Sequence, residues 1–274
     1  MITKKIEHFN LKQICNSGQC FRMNQIADGR YSVIAGQEYL EVEQQGMECC
    51  FYCEEEAFEN FWKAYFDLEG DYHACIGRID PKDIYLTQAA AFGEGIRILK
   101  QELWETIISF LISQQNNIVR IRRCIQNICE GYGEKRVNLH GGIYYGFPTA
   151  EALAELGEDD LKACNLGYRS KYVVRTAKSV VCGATDLGAV YRLPYDEARG
   201  ELLKLYGVGE KVADCICLFA LHHLQAFPVD THIDQALRRY YKSGFPNRKY
   251  QGVQGIMQQY IFYYELFGNK ESAR

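Results

Sequence analysis

The 274-residue chain has no apolar run approaching the roughly 18 residues that would cross a bilayer, and its opening MITKKIEHFNLK lacks the apolar centre of a secretory signal. A membrane-embedded or exported protein is therefore not expected, and the chain reads as cytoplasmic and of prokaryotic type. It has no internal repeat and no low-complexity tract, which sets aside solenoids and biased tails. A second C-x-x-C pair is missing as well. Of the 12 cysteines only Cys50 and Cys53 have that spacing, so neither metal nor cofactor is expected, and cysteines inside apolar runs read as small buried hydrophobes of a reducing compartment. Nor is there an excess of basic residues. A net charge of -4 argues weakly against nucleic acid, although Lys162 to Lys211 carries nine Lys and Arg against five Asp and Glu.

What is present is a length that can bury a large core, with 47% hydrophobic and 24% charged residues, an ordinary soluble balance. Two textures divide it. Residues 1 to about 55 alternate in the manner of strands at Tyr31 to Ala35, Tyr39 to Gln44 and Met47 to Cys53, with Gly-containing turns between them. Helices are then expected over Glu55 to Phe66 and from Pro81, and next over Leu103 to Cys129 with a break near Gln114 to Asn117. After a short hairpin at Val137 to Tyr145, they follow at Ala150 to Leu156, Asp159 to Cys164, Ser170 to Val181, Tyr195 to Leu205, Lys211 to Leu221, Thr231 to Tyr241 and Tyr250 to Phe267. The expected fold is α+β: a small antiparallel sheet domain over 1–95, then a mostly helical core over 96–274.

The most informative segment is Leu205 to Asp230, LYGVGEKVADCICLFALHHLQAFPVD. Gly207 and Gly209 permit a tight turn with bare amides, suited to a DNA phosphate. Lys211 falls in the first turn of the next helix, where the dipole and an apolar run both disfavour an ammonium, and a neutral lysine is a nucleophile. Asp230 opens the following helix, where it would bring a carboxylate toward the lysine. Each has a plainer reading: a Gly-ended helix, a solvated lysine, an Asp N-cap. Their combination is what favours chemistry on a sugar carbon.

LYGVGEKVADC with FPVDTH resembles the helix-hairpin-helix plus Gly-Pro-Asp element of base-excision DNA glycosylases, here over about 195–242, and VADCIC resembles the 8-oxoguanine branch. That branch commonly has proline at the position of Tyr206. Related branches often carry a four-cysteine cluster after the Asp helix, and here no cysteine follows Cys217. The resemblance implies Schiff-base chemistry by Lys211 and stabilisation of sugar charge by Asp230. It also extends to other segments. NSGQCFRM implies that the Gly18 carbonyl tests guanine N7, where oxidation puts an N–H donor in place of a lone pair; a Ser-Gly turn is the plainer reading. QQYIFYYELFG implies Gln258 on the pairing edge of the base and Phe262 on its face, with Cys215 opposite, and Gln259 competes for the polar role. SQQNNIVRI and LGYRSKY imply gap filling by Gln115 or Asn116, a Tyr168 wedge, and Arg120 and Arg169 donating to an orphaned cytosine. His232 would bond a phosphate.

The function so implied is excision of 8-oxoguanine from double-stranded DNA opposite cytosine, followed by β-elimination, by a monomer. Two rivals stand beside it: a glycosylase for another damaged or mispaired purine, and a non-catalytic hairpin module that only binds DNA.

Overall fold

A computed structural model describes residues 1–268. Five antiparallel strands, β1 (Ile2–Lys5), β2 (Met23–Ala27), β3 (Arg30–Ala35), β4 (Glu38–Gln45) and β5 (Glu48–Phe51), form one sheet in the order β1-β5-β4-β3-β2. The three expected strands are the inner ones. In β3 every second residue, Tyr31, Val33 and Ala35, is buried, which is the period that made it readable. The two outer strands went unpredicted because they carry little alternation: β2 buries only Met23, and β1 buries none of its residues. Against the inner face pack Leu11, Ile14, Phe58, Trp62 and Phe66. The expected helix at 55–66 is present as a continuous helical stretch from Glu55 to Tyr65, wound as a π-turn between Phe58 and Trp62.

The rest is helical apart from a small hairpin, Lys135–Val137 with Ile143–Tyr145. The anticipated break divides Leu103–Ser113 from Ile118–Tyr132; Gln114 leaves the helix in an extended conformation, and Asn117 caps the second helix by accepting from the Arg120 amide at 2.9 Å. Several limits shift. The helix expected from Pro81 starts at Ile84, behind the Asp83 cap; the one expected to reach Leu205 stops at Leu202; the last begins at Gln254 and becomes a π-turn over Tyr264–Gly268. Among the described residues no helix is long and apolar enough to cross a membrane.

Polar groups join the sheet to the helices. Arg97, 5% exposed, donates to the carbonyls of Glu7, His8, Asp67 and Gly70. Asp67, equally buried, receives Lys100 at 2.8 Å, the Tyr72 hydroxyl at 3.0 Å and His222 at 3.4 Å. His222 lies just beyond helix Glu210–Phe219, whose Phe219 carbonyl accepts from the Gln101 amide at 2.9 Å. The helix that begins at the glycine hairpin is thus anchored at its far end to the sheet half.

Candidate active site

Helix Tyr195–Leu202 runs into the hairpin and helix Glu210–Phe219 leaves it. Gly207 has φ +90°, and a Cβ there would lie 2.6 Å from the Tyr172 ring, so a side chain is excluded both by conformation and by space. Gly209 is exposed and starts the helix without a side-chain cap, which leaves the first amides of Glu210–Phe219 facing outward. Asp214, in the middle of the apolar run, holds the two helices together: Tyr195 donates to it at 2.8 Å and Arg199 at 2.6 Å. Asp214 is a structural residue that the motif did not single out, although one acid in VADCIC demands a buried partner.

Lys211 projects from the first turn of this helix. Its nitrogen stands 5.3 Å from the centre of the Phe110 ring and beside the Cys215 thiol. Burial pushes that thiol up to about 11 against the opposing pull of Lys211, so Cys215 is a neutral neighbour. Asp230 is half-buried in an extended conformation and accepts from the Ile233 amide at 2.9 Å as the N-cap of Thr231–Tyr240. The plain capping role thus leaves Asp230 in the lining of the cleft it shares with Lys211. Lys211 and Asp230 line one cleft of about 1180 Å³, roomier than the roughly 300–1,000 Å³ usual for small ligands.

The same cleft collects residues from both ends of the chain. Gly18, with φ +74°, lies so close to Phe262 that a Cβ would sit 2.9 Å from Cε1 of that ring. His232 meets Phe262 edge-on at 6.0 Å, and both line the cleft with Gly18. Cys215 and Gln258 stand behind the wall, outside its lining. The Gln258 amide donates to the Pro228 carbonyl at 2.9 Å and its oxygen accepts from Gln259 at 3.1 Å, so it buttresses the turn that delivers Asp230. Gln259 is 3% exposed and faces its neighbour rather than the cleft.

Gln115 and Asn116 form the opposite rim. Gln115 is exposed in the left-handed region at φ +47°, whereas Asn116 is tied down, donating to the Ile112 carbonyl at 3.2 Å and accepting from the Asn117 amide at 3.0 Å. Tyr168 is 45% exposed, with its hydroxyl 3.5 Å from the Gln115 side-chain oxygen. Arg120 is exposed, donates to the Asn165 carbonyl at 3.4 Å and stands beside the Cys124 thiol. Arg169 differs from its expected pose: it is 3% exposed, and its guanidinium donates to the carbonyls of Gln114 at 2.8 Å and Gln115 at 2.9 Å. In this arrangement it braces the rim.

Residues 1–107 match the family model for the N-terminal domain of 8-oxoguanine DNA glycosylase, and residues 108–259 match that of HhH-GPD superfamily base excision DNA repair proteins. The fold is thus that of a helix-hairpin-helix base-excision repair protein. A solved structure of the Clostridium acetobutylicum 8-oxoguanine glycosylase/lyase, in complex with double-stranded DNA containing cytosine opposite 8-oxoG, superposes with a TM-score of 0.91 at 38% identity over 98% of both chains. The N-glycosylase/DNA lyase of Saccharomyces cerevisiae is 39% identical over 54% of this chain and 43% of its own length. The N-glycosylase/DNA lyase OGG1 of Arabidopsis thaliana is 29% identical over 82% of this chain and 64% of its own. Less than two thirds of each of these two relatives is spanned. The chain belongs to the 8-oxoguanine glycosylase/lyase family.

Proposed function

We propose that this chain excises 8-oxoguanine from double-stranded DNA, preferentially opposite cytosine, and then nicks the strand. The observation that carries the reading is the convergence of Gly18, the Lys211–Asp230 segment and Phe262, from three separate parts of the sequence, on one cleft. The amides after Gly209, with His232, hold the phosphates on either side of the lesion. The extruded base enters against Phe262, and the Gly18 carbonyl accepts from its N7–H, a donor that normal guanine lacks. With its proton removed, the Lys211 nitrogen attacks C1′, the C1′–N9 bond breaks, and the base departs with its electron pair and a proton. Asp230 offsets the positive charge that develops on the sugar. The nitrogen lone pair then expels O4′, which takes up a proton as the C1′–O4′ bond of the sugar ring opens, giving a protonated Schiff base from which removal of a C2′ proton expels the 3′ phosphate.

Gln115, the exposed rim residue, fills the vacated stack beside Tyr168, and Arg120 donates to the orphaned cytosine. Arg169 joins it only by giving up the rim carbonyls. Every group named comes from one chain, so a monomer suffices. Borohydride reduction on 8-oxoguanine duplex tests the core of the proposal. Wild type is expected to become covalently trapped, and Lys211→Gln to bind the duplex without releasing base or trapping; release by Lys211→Gln at the wild-type rate would refute it.

A further inference from the structure

The hairpin and the rim loop are tied together by a side chain with no assigned role. Gln114 donates from Nε2 to the Gly207 carbonyl at 2.9 Å, across 93 residues of sequence, while its own carbonyl accepts from Arg169 at 2.8 Å. The Arg169 guanidinium also takes the Gln115 carbonyl and lies 4.5 Å over the Tyr168 ring. Beneath the hairpin Tyr172 packs on Gly207 and meets Tyr168 edge-on at 5.6 Å. A closed circuit results: Gly207, Gln114, Arg169, Tyr168, Tyr172 and back to Gly207. A local capping role does not account for Gln114, because its contact within its own helix, to the Leu111 carbonyl, is the longer one at 3.4 Å.

Gln115, at the tip of this circuit, is a non-glycine residue held at φ +47°. Such a conformation persists only where the surroundings over-determine it. Here the fixed points are the two carbonyls on Arg169 and the Gln114 side chain on the hairpin. The Gly207 carbonyl is thereby linked through one side chain to the backbone that presents Gln115.

We propose that Gln114 is a positioning residue that couples phosphate grip at the Gly207 hairpin to gap filling by the Gln115 loop, so that base extrusion and strand binding occur as one event. The proposal rests on the excision activity proposed above and concerns only how the duplex is opened. Gln114 lines the cleft, but its side-chain amide is committed to the Gly207 carbonyl rather than to Lys211 or Asp230.

The test uses the full chain with Gln114→Met, which preserves length and removes the donor, and Gln114→Ala. Melting temperature and affinity for undamaged duplex control for folding and for the hairpin. Three readouts follow: single-turnover release of 8-oxoguanine from duplex opposite each normal base, fluorescence of 2-aminopurine placed opposite the lesion, and strand cleavage at an abasic site in single-stranded DNA, where nothing has to be extruded. Coupling predicts that both variants release base from duplex about tenfold more slowly, the scale of one net hydrogen bond, with a flattened opposite-base preference and a smaller fluorescence change. Single-strand cleavage is expected within about twofold of wild type, since Lys211 is untouched. Equal duplex rates in the Gln114→Met variant and wild type overturn the coupling. An equal loss on single strands overturns it too, because Gln114 would then be acting on the chemistry. Failure of wild type to release 8-oxoguanine at all would instead strike the proposed function.

Discussion

The cap that Asp230 makes and the chemical role proposed for it can be separated by substitution. Its side-chain oxygen caps helix Thr231–Tyr240 by accepting from the Ile233 amide at 2.9 Å, and its charge faces the cleft shared with Lys211. In Asp230→Asn the capping oxygen remains, and Asn is as good a cap as Asp; only the charge at the helix N-terminus is lost, about 0.3–1 kcal/mol. In Asp230→Ala the cap goes as well, adding about 1 kcal/mol. At about 2 °C per kcal/mol for a protein of this size, the asparagine variant should melt within about 2 °C of wild type and the alanine variant about 2 °C lower again. Excision should fall about 100-fold or more in both, the scale of removing one electrostatic contact to a transition state. Thermal melts and single-turnover base release on one duplex decide it. Base release by Asp230→Asn at the wild-type rate would remove the carboxylate from the chemistry, and identical melting of the two variants would show that the oxygen is no cap.

Gly18→Ala places a methyl 2.9 Å from Phe262 at φ +74°, a backbone cost of about 1 kcal/mol before the ring moves. Release of 8-oxoguanine should drop about tenfold, and wild-type rates in this variant would detach Gly18 from the base. The Asp67 joint predicts acid sensitivity. Burial pushes this carboxyl up, but His222 and Lys100 together outweigh burial and hold it below the ordinary carboxylate value. A lowered folded-state value contributes stability above the unfolded value and loses it as pH falls, so urea midpoints of wild type should decline below about pH 4. Asp67→Asn should be weaker at neutral pH and flatter below pH 4, and parallel curves would refute the linkage.

Much of this was legible in the sequence, and what was not has identifiable causes. The hairpin, Lys211 and Asp230 lie within 26 consecutive residues, so local pattern carries them. The inner strands show themselves by alternation, while β1 and β2 lie at the sheet edges and leave their side chains largely in solvent. Helix ends drifted because burial outlasts helicity: Leu205 and Val208 are core residues inside the hairpin, after the helix has ended at Leu202. Gln114 was passed over because its partner is a backbone carbonyl far along the chain, a contact that leaves no mark on residue type. Arg169 was expected to face a base, and nothing in LGYRSKY reveals that two carbonyls receive its guanidinium.

Arg97 has a further consequence for how the chain becomes a protein. Its four carbonyl acceptors all belong to residues 7 to 70, and Leu99 is buried in the core beneath the sheet. A ribosome delivering the first 95 residues therefore releases strands whose central rivet has not yet been made. A fragment that stopped before Arg97 would leave those four carbonyls without this donor, so a workable division of the chain has to fall beyond it.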